Sequence, residues 1–276
     1  MTRLISISLA VAAALATACG GGAKAPAGPA DPASPTEPGG PPSGELTTAE
    51  AVIEASIAAQ GGRERIGKVQ SMRQTGTFGI PQMKLTGSMT TVAAPPRNFV
   101  ATIELAGIGT IRRGLTGDLA WEVSPMTGAR IVTGGERAQF LREATFNAEL
   151  IWKQLYPKAE LAGVVEFAGQ PAYKVVLTAA DDDTQTRYFA KDTLLPLGAE
   201  MVAKSQMGNI PGESMLSDWR DVGGIKFPHK VVQKQGPQAF EILIDKIELD
   251  PALDPSAFAL PPEIAALQKP ATPPKP

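Results

Sequence analysis

From residue 71 to 249 most of the chain is written in a period of two. In "FVATIEL", Phe99, Ala101, Ile103 and Leu105 alternate with Val100, Thr102 and Glu104, and "KLTGSMTTV" sets Leu85 and Met89 against Lys84, Thr86, Ser88 and Thr90. "LAWEV" places Leu119, Trp121 and Val123 on one side. Successive side chains of a strand point to opposite faces, so this text buries one face and wets the other. The rule resumes in "GVVEFAGQPAYKVVLT", "TQTRYFA", "LGAEMVAK", "SMLSDWRDV", "IKFPHKVVQ" and "AFEILIDKIEL", with turns at "SPMTGA", "AGQ", "DDD" and "VGG". The spacing predicts an antiparallel sheet of about eleven strands.

Two segments leave that period. In "TTAEAVIEASIAAQGG" the spacing from Thr47 to Glu50 makes a capping box, Val52, Ile53, Ser56 and Ile57 share a helical face, and Gly61 with Gly62 gives a left-handed stop. A short turn, "RERIGK", is expected next. Over residues 135 to 155 the spacing again turns helical, with Leu141, Ala144, Ala148, Ile151 and Leu155 on one stripe, Phe140, Phe146 and Trp152 off it, and a break near Asn147.

The ends have a different composition. Arg3 precedes the apolar "LISISLAVAAALATA", too short for the ~20 residues of a membrane-spanning helix, so residues 1–18 read as a secretory signal. Ala16, Thr17 and Ala18 lead into Cys19, the only cysteine, and this junction resembles a bacterial lipobox, with Leu15 one place farther out than usual. The lipobox implies cleavage before Cys19, a thioether from its sulfur to diacylglycerol, and acylation of the new N-terminus. Two or three chains on one residue make release from a bilayer very slow. A general secretory signal with an incidental cysteine is the alternative. Residues 19–46, rich in Gly and Pro, have little to bury and read as a lipidated cysteine on a disordered tether, and residues 263–276 read as a second Pro-rich tail. Gly20 after the cysteine, by resemblance to enterobacterial sorting rules, points away from retention in the inner membrane.

Several function classes are disfavoured. With 26 Lys and Arg against 28 Asp and Glu in mixed order, no basic field gathers nucleic acid. His229, the only histidine, lacks a second imidazole or a second thiol for a zinc site or a Cys-His pair, and reads as a surface or core residue. G-x-S-x-G, H-E-x-x-H and P-loop motifs are absent, and "GIGTIRRG" has the wrong spacing for a dinucleotide fingerprint and reads as a strand-turn segment. Asp181, Asp182 and Asp183 suit a turn better than calcium, and Asp218 and Asp221 fall on opposite strand faces, a poor acid-base couple. No enzyme, metal or cofactor is expected.

The order of landmarks resembles the outer-membrane lipoprotein-sorting family. "IAAQGGRERIGKVQSMRQTGTF" is similar to its first helix, Gly-Gly stop and first strand, "APPRNFVATIEL" to its Pro-Arg turn, and "TGDLAWEVSPMTG" to its hairpin. "RYFAKDTLLPLGAE", "LSDWRDVGGIKFPHKV" and "KIELDPALDPSAFALP" complete the series, so the resemblance covers residues 47–262. Gly117-Asp118 reverses the usual Asp-Gly, and Ala190-Lys191-Asp192 stands where an Asp-Xaa-Thr-Gly turn is expected. The resemblance implies an α+β fold: a strongly curved antiparallel sheet, an incomplete barrel, with helices covering its concave face.

If the greasy strand faces line a cavity, its expected residues are Met83, Leu85, Met89, Phe99, Ile103, Trp121, Phe140, Trp152, Met201 and Trp219. Methionine gives a soft lining for ligands of variable shape, while ordinary core filling accounts for the same residues. Two functions follow. One is a membrane-anchored, non-enzymatic protein of the bacterial outer membrane, facing the periplasm, that takes an acyl chain, lipid or lipoprotein into the cavity. The other is an envelope scaffold with a self-filled core that binds a protein partner. An open cleft favours the first, and an interior plugged by Phe140 and Trp152 the second.

Overall fold

The computed structural model describes residues 45–205 and 208–268. The signal, Cys19 and the expected tether up to residue 44 lie outside the described residues.

Among the described residues thirteen strands build one antiparallel sheet. The first six are β1 (Met72–Ile80), β2 (Leu85–Ala94), β3 (Asn98–Leu105), β4 (Gly109–Thr116), β5 (Leu119–Ser124) and β6 (Gly128–Ile131). The rest are β7 (Lys158–Phe167), β8 (Gln170–Thr178), β9 (Thr184–Ala190), β10 (Pro196–Ser205), β11 (Gly208–Val222), β12 (Ile225–Gln235) and β13 (Gln238–Leu249). The count exceeds the expected eleven because β4, whose paired arginines interrupt the apolar rhythm, is a full strand, and β6 is a four-residue strand completing a hairpin.

The strand order is β6-β5-β4-β3-β2-β1-β13-β12-β11-β10-β9-β8-β7. Every neighbour is a neighbour in sequence except the central β1–β13 pair, which joins the first strand to the last. The sheet is open, with edges β6 and β7. These edges are consecutive in the chain, so residues 132–157 must travel from one edge to the other. That link holds helix α3 (Gly134–Ala144), a 3-10 turn (Ala148–Ile151) and helix α4 (Trp152–Leu155).

The contacts of α3 require the sheet to bend. Glu136 meets Arg113 of β4 and Arg130 of β6, while Gln139, one turn on, accepts from the Lys204 backbone N–H of β10 at 3.0 Å. In a flat sheet β4 and β10 stand seven strand spacings apart, about 34 Å at ~4.8 Å each. Side chains one turn apart on a helix, about 5 Å along its axis, cannot span that distance, so the sheet curls around α3.

Before the sheet come α1 (Ala49–Ala59) and α2 (Gly62–Lys68). The N-cap of α1 is Thr48 rather than Thr47: its hydroxyl accepts from the Ala51 N–H at 3.1 Å. "RERIGK" is helical rather than a turn, the chain restarting at Gly61 and Gly62, both at positive φ. A Cβ at Gly61 would stand 2.4 Å from the Gly224 carbonyl oxygen, so the absent side chain lets the helix pair approach the β11–β12 turn. The buried residues of α1 (Val52, Ile53, Ile57), of α2 (Ile66) and of the edge-to-edge link (Phe140, Trp152) share one cluster with a single face of the sheet.

The opposite face carries a smaller cluster of Val100, Trp121 and Ile264. Ile264 belongs to α5 (Pro262–Leu267), which follows the 3-10 turn Pro255–Phe258 and runs into the first residues of the expected Pro-rich tail, 263–276. Ile264 is fully buried. The start of that tail is thus part of the folded unit.

Candidate functional site

Strand alternation decides what the helix-associated face displays. On β12 the buried series is Ile225, Phe227, His229, Val231, Gln233 and Gln235, and on β3 it is Phe99, Ala101, Ile103 and Leu105. The pairings β12–β13 and β13–β1 extend the apolar row through Ile242 and Phe78, and β2–β3 joins Met89 to Ile103. Phe140 of α3 meets Phe99 edge-on, with ring centroids 6.0 Å apart.

Of the ten residues expected to line a cavity, Met89, Phe99, Ile103, Phe140, Trp152 and Met201 fall in this cluster, each no more than 8% exposed. Leu85 and Trp219 are partly buried against it. Met83 is not brought in: it lies in the 3-10 turn Pro81–Met83, ahead of left-handed Lys84, and is 45% exposed. Trp121 is fully buried on the other face, because in β5 the helix-facing positions are Ala120, Glu122 and Ser124. Its ring lies across Gly114 of β4, where a Cβ would come within 2.2 Å of it. The three indoles differ in satisfaction. Trp121 donates to the Thr116 hydroxyl at 3.3 Å and Trp152 to Glu54 at 3.0 Å, while the buried Trp219 Nε1 has no partner among the described residues.

The polar side chains on this face are the part that apolar patterning missed. Arg113, 3% exposed, pairs with Glu136 at 3.1 Å and lies 4.5 Å over the Phe140 ring. Arg130 bridges Glu122 at 3.0 Å and Glu136 at 2.7 Å. Burial pulls the Arg113 guanidinium below its ordinary value, against the opposing pull of Glu122 and Glu136. At the other end of α3, Arg142 bonds Asp181 at 3.0 Å and also Asp183, which Lys204 reaches at 3.1 Å. The aspartate run is therefore both a turn and a dock for the helix. The signal for the inward charges was present: Arg113 is in phase with Ile111 and Leu115, and Glu122 is out of phase with Trp121.

Helix α3 is consequently held mainly by polar contacts. Glu136, Gln139 and Glu143 occupy its buried side beside Phe140 and Ala144, whereas Leu141 of the expected stripe is only partly buried. Glu143 has no hydrogen bond or ion pair among the described residues, and burial pushes its carboxyl up to about 8, Asp183 adding to the effect and Arg113, Arg142 and Arg187 opposing it. The helix starts on left-handed Gly134 (φ 61) and is followed by left-handed Asn147 (φ 58). Beside its start is a polar cleft of about 280 Å³ lined by Arg130, Thr133, Gly135, Glu136, Lys204, Ser205 and Asn209. His229 is buried, its Nδ1 3.1 Å from the Phe227 carbonyl.

This architecture has counterparts among solved structures. A DUF1329 family protein from Desulfovibrio piger superposes with a TM-score of 0.54 at 14% identity, over 76% of this chain and 96% of its own. A LolA superfamily protein from Nitrosomonas europaea gives 0.53 at 13%, over 78% and 99%. A domain described in connection with outer-membrane lipoprotein sorting, from Vibrio parahaemolyticus, gives 0.50 at 11%, over 75% and 97%. The chain has the LolA-type fold. No family model matches the sequence, and no curated protein does. Among the described residues no helix is long and apolar enough to cross a membrane.

Proposed function

We propose that this protein is a lipid-anchored, non-enzymatic receptor of the bacterial envelope that takes an acyl chain of a lipid or lipoprotein between the curved sheet and its helices. The observation that carries this reading is the attachment of α3. A helix meant only to close a core would present an apolar stripe, but α3 buries Glu136, Gln139 and Glu143 and is tied down by ion pairs at both ends. Ion pairs of this kind contribute less net stability than apolar packing of the same volume. Moving α3 about Gly134 and Asn147 uncovers Phe99 and its apolar neighbours while returning charged groups to water, which lowers the cost of opening. Burying an acyl chain on that face then gains ~25 cal/mol per Å² of apolar surface.

Anchoring follows from Cys19: the tether holds the domain near the outer membrane, on the periplasmic side, where a receptor rather than a free shuttle is useful. The LolA-type fold supports the same class of function, because the Vibrio domain of that fold is described in connection with lipoprotein sorting. The test is native mass spectrometry of the full chain extracted from the membrane fraction, with titration of a delipidated sample by a fluorescent fatty acid. A co-purified lipid mass and saturable binding support the reading, and their joint absence sinks it. Intact mass of the membrane-extracted chain tests acylation of Cys19, which predicts loss of residues 1–18 and a gain of diacylglycerol and acyl mass.

A second reading, the scaffold with a self-filled core, is favoured by Phe140 lying edge-on to Phe99 and by the burial of Trp152 at 5% exposure. In that case the outer surface binds a protein partner and no acyl probe enters.

A further inference from the structure

One stretch of the helix-associated face is lined by small side chains and by amides without partners. On β12 the inward series ends in Gln233, which is fully buried, and Gln235, 2% exposed. Neither Oε1 nor Nε2 of Gln233 has a hydrogen-bond partner among the described residues, and Nε2 of Gln235 also lacks one. Such groups cost about 1–3 kcal/mol each when left unpaired. Across the β11–β12 ladder Gln233 stands opposite Ser214 and Gln235 opposite Gly212. The next strand places Ala199 level with Ser214 and Met201 level with Gly212. A Cβ added at Gly212 would meet only ordinary contacts, the nearest being the Lys234 carbonyl oxygen at 3.6 Å, and Gln235 Cγ would stand 3.9 Å away. β11 therefore contributes only small side chains to this buried part of the inner face, a small-residue trough with the two glutamines along one side.

We infer that this trough holds the polar joint of an ester-linked acyl glyceride, with its ester carbonyl accepting from Gln233 Nε2 and Gln235 Nε2 and the neighbouring donor, a glyceride hydroxyl or the amide N–H of a lipidated cysteine, donating to Gln233 Oε1. The inference rests on the acyl-binding reading and adds the class of ligand. A neutral group fits and a carboxylate does not. The glutamine side offers amide dipoles, and the inward cation in the same row, Arg187, stands beyond Ala199 and is already bonded to Gln185 at 3.1 and 3.0 Å. An ionised headgroup there would be buried without a counter-charge. Met201, touched at 3.5 Å by Gln139 of α3, borders the trough, so the helix that covers the face also closes over the ester.

The experiment compares two pyrene-labelled probes of equal chain length, a monoacylglycerol carrying a carbon-13 ester carbonyl and a plain hydrocarbon, on the full chain and on Gln233→Leu and Gln235→Leu. Each substitution is expected to weaken the ester probe roughly five- to tenfold and leave the hydrocarbon unchanged. The labelled carbonyl band should fall in frequency on the unaltered protein and revert in both variants. Equal weakening of both probes, or an unshifted carbonyl on the unaltered protein, overturns the assignment while leaving acyl binding intact. Failure of both probes to bind the unaltered protein overturns acyl binding and this inference with it. Gly212→Val fills the trough without touching an amide, and if a leucine variant misfolds it must produce the same selective loss. Displacement of the ester probe by a diacylated cysteine peptide identifies a lipoprotein as the source of the glyceride, and displacement by diacylglycerol identifies a membrane lipid; both support the ester.

Discussion

Replacing Glu143 by Gln should make the protein's stability far less sensitive to pH. The carboxyl lies on the buried side of α3, 7% exposed, among Arg113, Arg142, Arg187 and Asp183. Burial outweighs the three arginines, so the folded protein holds the proton up to about pH 8, against 4.5 for a free glutamic acid. Below pH 4.5 both states are protonated and the neutral side chain's contribution is fully present. Between 4.5 and 8 the unfolded chain releases its proton and the folded chain does not, so stability falls by ~1.4 kcal/mol per pH unit. Above pH 8 the loss is complete, about 3–5 kcal/mol over the whole window. Glutamine keeps the shape, stays neutral and removes that slope. Urea unfolding at pH 5, 7 and 9 measures it: the variant should match the parent at pH 5 and exceed it by several kcal/mol at pH 9. A parent-variant difference that does not change with pH would refute the reasoning, because it would place the carboxyl in solvent or in a persistent ion pair. Hydrogen exchange adds a local check, with α3 amides expected to lose protection first as pH rises.

Arg142→Ala cuts the ties to Asp181 and Asp183 and should cost about 2 kcal/mol, with faster amide exchange in α3 than in the β1–β13 centre of the sheet; uniform loss of protection would count against a separately held helix. Gly114→Ala drives a methyl group into the Trp121 ring and should destabilise by about 1–3 kcal/mol, with altered Trp121 fluorescence; a silent substitution would place that ring elsewhere. Ile264→Asp should lift α5 from the sheet, cost about 3 kcal/mol and shift tryptophan emission to the red, since Ile264 is fully buried beside Trp121. If emission and stability stay unchanged, the C-terminal helix does not cover that face.

Period-two patterning placed most strands, because strands such as β1, β2 and β12 bury alternate residues and turn residues mark the ends. It under-read β4 and β6, where the in-phase residues Arg113 and Arg130 are charged and their burial depends on Glu136 of the helix that follows. The same phase rule contains the answer to Trp121, since alternation separates it from Glu122, but choosing the face that meets the helices needs the tertiary fold. Helix α3 misled the apolar stripe because its seat is polar: Glu136, Gln139 and Glu143 face inward, and no count of greasy residues finds them. Met83, expected on a strand face, belongs to a turn, with Pro81 starting a 3-10 segment. Gln233 and Gln235 continue the phase of Phe227 and Val231, so they were legible as inward residues, but their missing partners were not.

The most direct test of the central claim is photo-crosslinking of the full chain in its own membranes with a diazirine-bearing fatty acid fed to the cells, followed by peptide mapping. The account predicts adducts on the helix-associated face, at or beside Met89, Phe99, Ile103 and Met201, and none at Trp121. Adducts confined to the N-terminal anchor, or spread equally over both faces of the sheet, would contradict it.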